Sequence, residues 1–309
     1  MIRTYALGLV ATLATTGLLV AGCSLSEFTV NTTAPVLYKA SQNFAMESDV
    51  ELAREAAAAQ LKTADGFLAS SPKNRLLLEV LSRGYLEYAF GFLEDDLESM
   101  ADDNAHRDRR ALLTSRATAL YDRAFGYAMR NLATFKKDFA GSEKADSSTF
   151  DKALATLPKD AAPALLFGGM AWASSINLNR TDIARIAELP KAIAMMKRSY
   201  VLDKTFNSGM AGIALGLAAA SRGKAMGGDP EAAKRYFDEA VALTGGKFLL
   251  AKVMQARFYA VVTQDQPLFG RLLAEVIAAP NDVMPAQRLP NELAKRRAAR
   301  YQKMTEDLF

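Results

Sequence analysis

The sequence predicts an all-α protein, with about eleven helices stacked as antiparallel hairpins. Three observations predict it. Ala, Leu, Lys, Arg, Glu and Met dominate from about Glu47 to the C-terminus, and strand-like alternation is scarce. Capping residues followed by proline, as in Ser71-Pro72 and Asp229-Pro230, mark where helices start. A pattern of small and large residues also recurs at helical spacing.

The elements follow in order. A first helix is expected from about Ser48 to Ala69, and a second from Ser71-Pro72 to about Met100. Ala105 to Lys137 reads as a third, with a bend near Gly126 allowed. Asp151 to Leu157 is a short helix before Pro158, and Ala162 to Leu178 is strongly apolar and carries Gly168-Gly169. Thr181–Glu188, Pro190–Asp203 and Phe206–Lys224 follow. Gly227-Gly228-Asp229-Pro230 is a turn into Asp229–Leu243, and Lys247–Thr263, Pro267–Ala279 and Pro290–Glu306 complete the set.

The recurring pattern is Ala57-x3-Leu61-x2-Ala64-x2-Phe67. It returns from Ala117 through Tyr121 and Ala124 to Tyr127. It returns again from Ala192 (with Ser199 for the second Ala) and from Ala233 through Phe237 and Ala240 to Leu243. Small residues let a partner helix approach, and the large residue one turn on fills the groove. This is the second-helix half of a tetratricopeptide repeat, here without the regular 34-residue period. Degenerate tetratricopeptide-like hairpins fit best, and a generic helical bundle is the alternative.

The N-terminus is a separate unit. Arg3 precedes an apolar run from Tyr5 to Ala21, followed by Gly22-Cys23, as in a cleaved signal peptide. Leu19-Val20-Ala21-Gly22-Cys23 resembles a bacterial lipobox, and Cys23 is the one cysteine of the chain. Residues 1–22 are therefore expected to be removed, 23–46 to form a lipidated tether, and 47–309 to form the helical domain. Several acyl chains would hold Cys23 to a membrane. Ser24, rather than Asp, points to the outer membrane, with the body facing the periplasm.

Composition narrows the chemistry. With 38 basic and 34 acidic residues, the charge balance gives no reason to invoke nucleic acid. One histidine and one cysteine cannot build a metal cluster, and no nucleophile elbow, Walker loop or H-E-x-x-H is present. No catalytic residue, cofactor or metal is expected, and the chain reads as a non-enzyme. Lys295-Arg296-Arg297, with Arg300 and Lys303, reads as a polar cap on the stack.

One stretch carries a family resemblance. Gly84-Tyr85-Leu86-Glu87-Tyr88-Ala89-Phe90-Gly91-Phe92-Leu93-Glu94 follows a first helix and the turn Pro72-Lys73-Asn74. With the lipobox, Ala119–Ala124, Phe167–Ala173 and Gly227–Ala233, it resembles the T component of tripartite ATP-independent periplasmic (TRAP) transporters. The resemblance implies an accessory lipoprotein that docks a periplasmic solute-binding protein. It also implies self-association, with a trimer as the expected form, and an apolar pore or cavity for ligand. An outer-membrane assembly lipoprotein acting as a protein-protein scaffold is the alternative.

Tyr85, Tyr88, Phe90, Phe92 and Trp172 are candidates for lining such a pore or meeting a partner, as are Glu94 and Asp95. Helical spacing spreads the rings over more than one face, so most should be core and one or two could line a channel. Glu94 and Asp95 read either as solvated or as polar contacts with a partner. Trp172, beside Gly168-Gly169, reads as core.

Overall fold

The computed structural model describes residues 25–221 and 228–309. The expected signal peptide, Cys23, the expected helix end at Lys224, and Gly227 lie outside the described residues. Helix α1, residues 25–43, occupies most of the stretch expected to be a tether. Its polar, β-branched composition is overridden by docking. Val30 and Ala34 are buried in the core. Tyr38 donates to Glu79 Oε1 at 2.8 Å, and the Thr29 and Thr33 hydroxyls bond back to carbonyls one turn earlier.

Asp49 caps α2 (Val50–Ser70) by accepting from the Glu51 and Leu52 amides. The next cap is Asn74, which accepts from the Leu77 amide and starts α3 (Arg75–Tyr88). Ser71 does not cap, because its hydroxyl donates to Asn31 of α1 at 2.7 Å. A π-helical turn, Ala89–Leu93, then splits the predicted second helix and leads into α4 (Glu94–Ser99). Helix α5 (Arg107–Phe135) runs through Gly126, and α6 (Ser147–Ala155) is capped by Asp146. Helix α7 (Ala162–Leu178) has the predicted bounds, and α8 (Ile183–Ile186) is one turn. Then come α9 (Leu189–Leu202), α10 (Phe206–Ala220) and α11 (Pro230–Leu243), the last capped by Asp229 with Pro230 in its first turn.

Helix α12 (Leu249–Met254) passes into a second π-helical turn, Gln255–Ala260. Helices α13 (Gln266–Ala278), α14 (Arg288–Lys303) and α15 (Thr305–Leu308) follow. The described residues thus hold fourteen α-helices from Val50 onward, against about eleven expected. Two of the additional helices, α4 and α15, are pieces that the sequence merges with their neighbours. No strand occurs among the described residues.

Long helices pack on their neighbours in chain order: α2 on α3, α3 on α5, α5 on α7, α7 on α9, α9 on α10, and α10 on α11. Helix α14 packs on α12 and α13 and also reaches back to α2, so the series closes on itself. One core lies among α1, α2, α3, α5 and α7, a second among α10 to α14, and a third, which holds Trp172, among α5, α6, α7 and α9. The first two small positions of every repeat copy are buried: Ala57 and Ala64, Ala117 and Ala124, Ala192 and Ser199, Ala233 and Ala240. Ala124→Leu and Ala240→Leu should therefore each overpack a helix contact and cost about 1–3 kcal/mol. Urea unfolding measures this, and unchanged midpoints in both would show these positions to have room.

Candidate functional site

The aromatic-acidic stretch forms the end of α3, the π-turn and α4. A π-turn inserts one residue into the helical ladder and so rotates the side chains beyond it, a device frequent at functional sites. Its consequence here is to place Tyr88, Phe90 and Phe92 together on the wall of a central cavity. Tyr88 and Phe92 meet edge to face at 5.3 Å between ring centroids. Phe44, Phe167, Met210, Leu250, Met254 and Leu293 are among the other apolar residues of the lining, which draws on the first two cores. The cavity holds about 180 Å³, an order of magnitude above the ~10–15 Å³ that one water needs. It is therefore far larger than a single-water site.

Tyr85 and Trp172 are not part of this wall. Tyr85 donates to Asp65 at 2.6 Å and stacks on Tyr127. Trp172 packs against Phe125 and Phe150 and donates to Glu188 at 3.1 Å, in the core as expected. Nor are the first acidic residues of α4 free. Glu94 accepts a hydrogen bond from the buried Tyr121 hydroxyl. Burial pushes the Glu94 carboxyl above the usual carboxylate range, and burial and the Glu94 charge together hold the Tyr121 phenol well above its ordinary value. Asp95 accepts from Arg297 Nε at 3.2 Å and from Arg300 Nη2 at 2.7 Å.

Arg297 corrects the reading of the C-terminal basic run as a polar cap. It is 2% exposed, donates from Nη2 to the Phe90 carbonyl at 2.7 Å, and lies 4.1 Å over the Phe90 ring. Burial opposes its charge, but Glu98, Asp95 and Glu94 keep it protonated. Glu98 also accepts from Arg300 at 2.8 Å and from Tyr301 at 2.7 Å. The signal was present in the sequence: Leu289, Leu293-Ala294, Arg297-Ala298 and Tyr301 form one helical stripe, and Arg297 sits inside it.

Another part of the wall begins with strained backbone. Asn207, Ser208 and Gly209 have φ of 46°, 60° and 78°, a left-handed turn at the start of α10. Two non-glycine residues there cost about 1–2 kcal/mol each, and Asn207 and Met210 both line the cavity. Sequence reasoning merged this stretch into the Phe206–Lys224 helix, although Asn207-Ser208-Gly209 are residue types that favour turns and left-handed backbone.

Among the described residues no group of His, Cys, Asp and Glu could hold a metal ion, and no helix is long and apolar enough to cross a membrane. An uncharacterised protein of Treponema pallidum (strain Nichols) is 21% identical over 307 residues, covering 94% of each chain. The family model of the TRAP transporter T-component matches residues 46–309, which include the π-turn, the second core and all of the first core but its α1 residues. That family is an accessory of transport rather than a family of enzymes. A match over most of the chain, which includes the aromatic stretch that the sequence singles out, establishes that the protein belongs to the TRAP transporter T-component family.

Proposed function

We propose that the chain is a lipid-anchored, periplasm-facing accessory that docks the solute-binding protein of a TRAP system and offers its central cavity to the ligand in transit. The observation that carries this reading is the coincidence of family and site. The residues that resemble the T component, Tyr88 to Phe92, are those that the π-turn turns into the cavity. The long helices packed in chain order, with buried small residues at each repeat position, suit degenerate tetratricopeptide-like hairpins. Such stacks present extended surfaces to protein partners. The assembly-scaffold alternative is not favoured by the family match.

Docking is tested by sedimenting the chain alone and then with the candidate solute-binding protein. A self-associated species, a trimer in the proposed form, should shift to a larger complex when the partner is added. A monomer that ignores every solute-binding protein of its own organism would sink the reading. Anchoring has its own test. The lipobox ends at Cys23, so Cys23→Ala should abolish incorporation of labelled palmitate. Incorporation at the wild-type level in that variant would refute a lipid anchor at this residue.

A further inference from the structure

Helix α1 precedes the stretch matched by the family model, and its first turns project from the body. Asn31 accepts from the Ser71 hydroxyl at 2.7 Å and from Asn74 Nδ2 at 2.8 Å, while Tyr38 donates to Glu79. Helix α1 therefore runs alongside α3 in the same direction, with Asn31 level with the α2–α3 turn. The helical rise puts Leu25 about 9 Å beyond that turn, and residues 25–29 are accordingly all exposed. Leu25 and Phe28 lie three apart, so they share a face, and each is 65% exposed. The Thr29 and Thr32 hydroxyls donate to the Leu25 and Phe28 carbonyls at 2.8 and 3.0 Å, so they are satisfied without water.

Cations surround this end. Lys73 and Arg75 belong to the turn and the start of α3, and Arg130, Lys136 and Lys137 to the end of α5. Two hydrogen bonds join these segments: Arg130 Nη2 to the Pro72 carbonyl at 3.0 Å, and Arg75 Nε to Thr134 Oγ1 at 2.7 Å. All five cations are exposed. The segments 25–31, 71–75 and 130–138 set them against two carboxylates, Glu27 and Asp138. Charge alone is an ordinary solvated face, but a solvated face has no use for an exposed leucine and phenylalanine beside it.

We propose that this end of the body is seated on an anionic phospholipid surface, with Leu25 and Phe28 in the boundary between headgroups and acyl chains and the five cations against the phosphates. The inference rests on the reading of Cys23 as the lipidated residue and adds the face of the body that meets the membrane. Cys23 stands two positions before Leu25, a reach of about 7 Å at most, so acyl chains on it hold this end against the bilayer. Apolar side chains beside basic ones suit a helix resting in an interface, and each cation near an anionic surface strengthens attachment about fivefold.

The test measures depth by fluorescence quenching. The full chain carrying Phe28→Trp, or Leu112→Trp as the comparison, is reconstituted with vesicles of phosphatidylcholine and phosphatidylglycerol whose acyl chains are brominated. Leu112 is 50% exposed and lies about 27 Å before Arg130 along α5. Trp172 is 7% exposed and gives the same background in both variants. Quenching at position 28 should exceed that at position 112 severalfold. It should fall to the level at position 112 in phosphatidylcholine alone, or when Lys73→Glu, Lys136→Glu and Lys137→Glu are combined. Equal quenching at the two positions overturns the proposal and leaves the cations to an acidic protein partner. Quenching at position 28 that ignores both the anionic lipid and the charge reversals overturns it too. Flotation with phosphatidylcholine vesicles measures the anchor separately, because acyl chains partition without anionic lipid. A chain that floats there but is not quenched at position 28 on anionic vesicles refutes the seating alone. One that does not float there but is quenched on anionic vesicles refutes the anchor alone.

Discussion

Asp95→Ala should destabilise the protein by about 3–5 kcal/mol, the range for breaking a buried ion pair by removing one partner. Asp95 Oδ1 is the shared acceptor of Arg297 and Arg300, at 3.2 and 2.7 Å. The side chains of Asp95, Arg297 and Arg300 are only 14%, 2% and 17% exposed, so water cannot replace the lost carboxylate. Arg297 would keep the Phe90 carbonyl and ring but lose its nearest counter-charge. The damage would spread because this cluster joins α14 to α4, and α14 is the helix that closes the series. Asp95→Asn, which keeps an acceptor, should cost less. The neighbouring pair, Arg54 with Asp96 at 2.7 Å, is 30% and 28% exposed. Asp96→Ala should therefore cost only about 1 kcal/mol, because solvent screens and partly replaces the contact. Urea unfolding of the variants measures the difference. Equal losses at Asp95 and Asp96 would show that burial does not set the strength of these pairs.

Gly169→Leu should cost about 3 kcal/mol, at the upper end of the range for overpacking. A Cβ built on Gly169 would lie 2.8 Å from the Ala192 carbonyl oxygen and 2.8 Å from Met196 Cγ. The first of these is backbone of α9 and cannot swing aside, so α7 and α9 would have to separate. The loss must also outweigh a gain. Replacing a helical glycine with leucine improves helix propensity by up to about 1 kcal/mol. Gly126 of α5 provides the comparison, since a Cβ there meets nothing within 4 Å. Gly126→Leu should be neutral or stabilising. Thermal unfolding of the pair reads the effect, and a stabilised Gly169→Leu would mean that the α7–α9 contact is looser than its geometry.

The fold class was legible because helix formers fill the chain and because caps are local. Asp229 with Pro230 and the bounds of Ala162–Leu178 needed only nearby residues. The repeat pattern was legible for the same reason: Ala124 and Ala240 are small where a neighbouring helix touches. Where long-range contacts decided, the reading failed. Ser71 looks like a cap until Asn31 takes its hydroxyl. Residues 25–43 look like a tether until the first core offers Val30 and Ala34 a place.

The candidate site divides in the same way. The sequence singled out Tyr88, Phe90 and Phe92 as residues with a use, but also Tyr85 and Trp172, which belong to the cores. Four rings at helical spacing cannot be sorted without the π-turn, and a π-turn leaves no signature in composition. Arg297 lies more than two hundred residues from Asp95 in sequence, so its burial depends on the closure of α14 onto α2 and the π-turn. By itself the sequence determined an all-helical chain, its capping and its small-residue contacts, because these rest on local propensity and periodicity. The tertiary structure alone decided which rings face a cavity, which cation is buried beside them, and that a left-handed turn joins the same wall. Each of these depends on helices far apart in sequence competing for the same space.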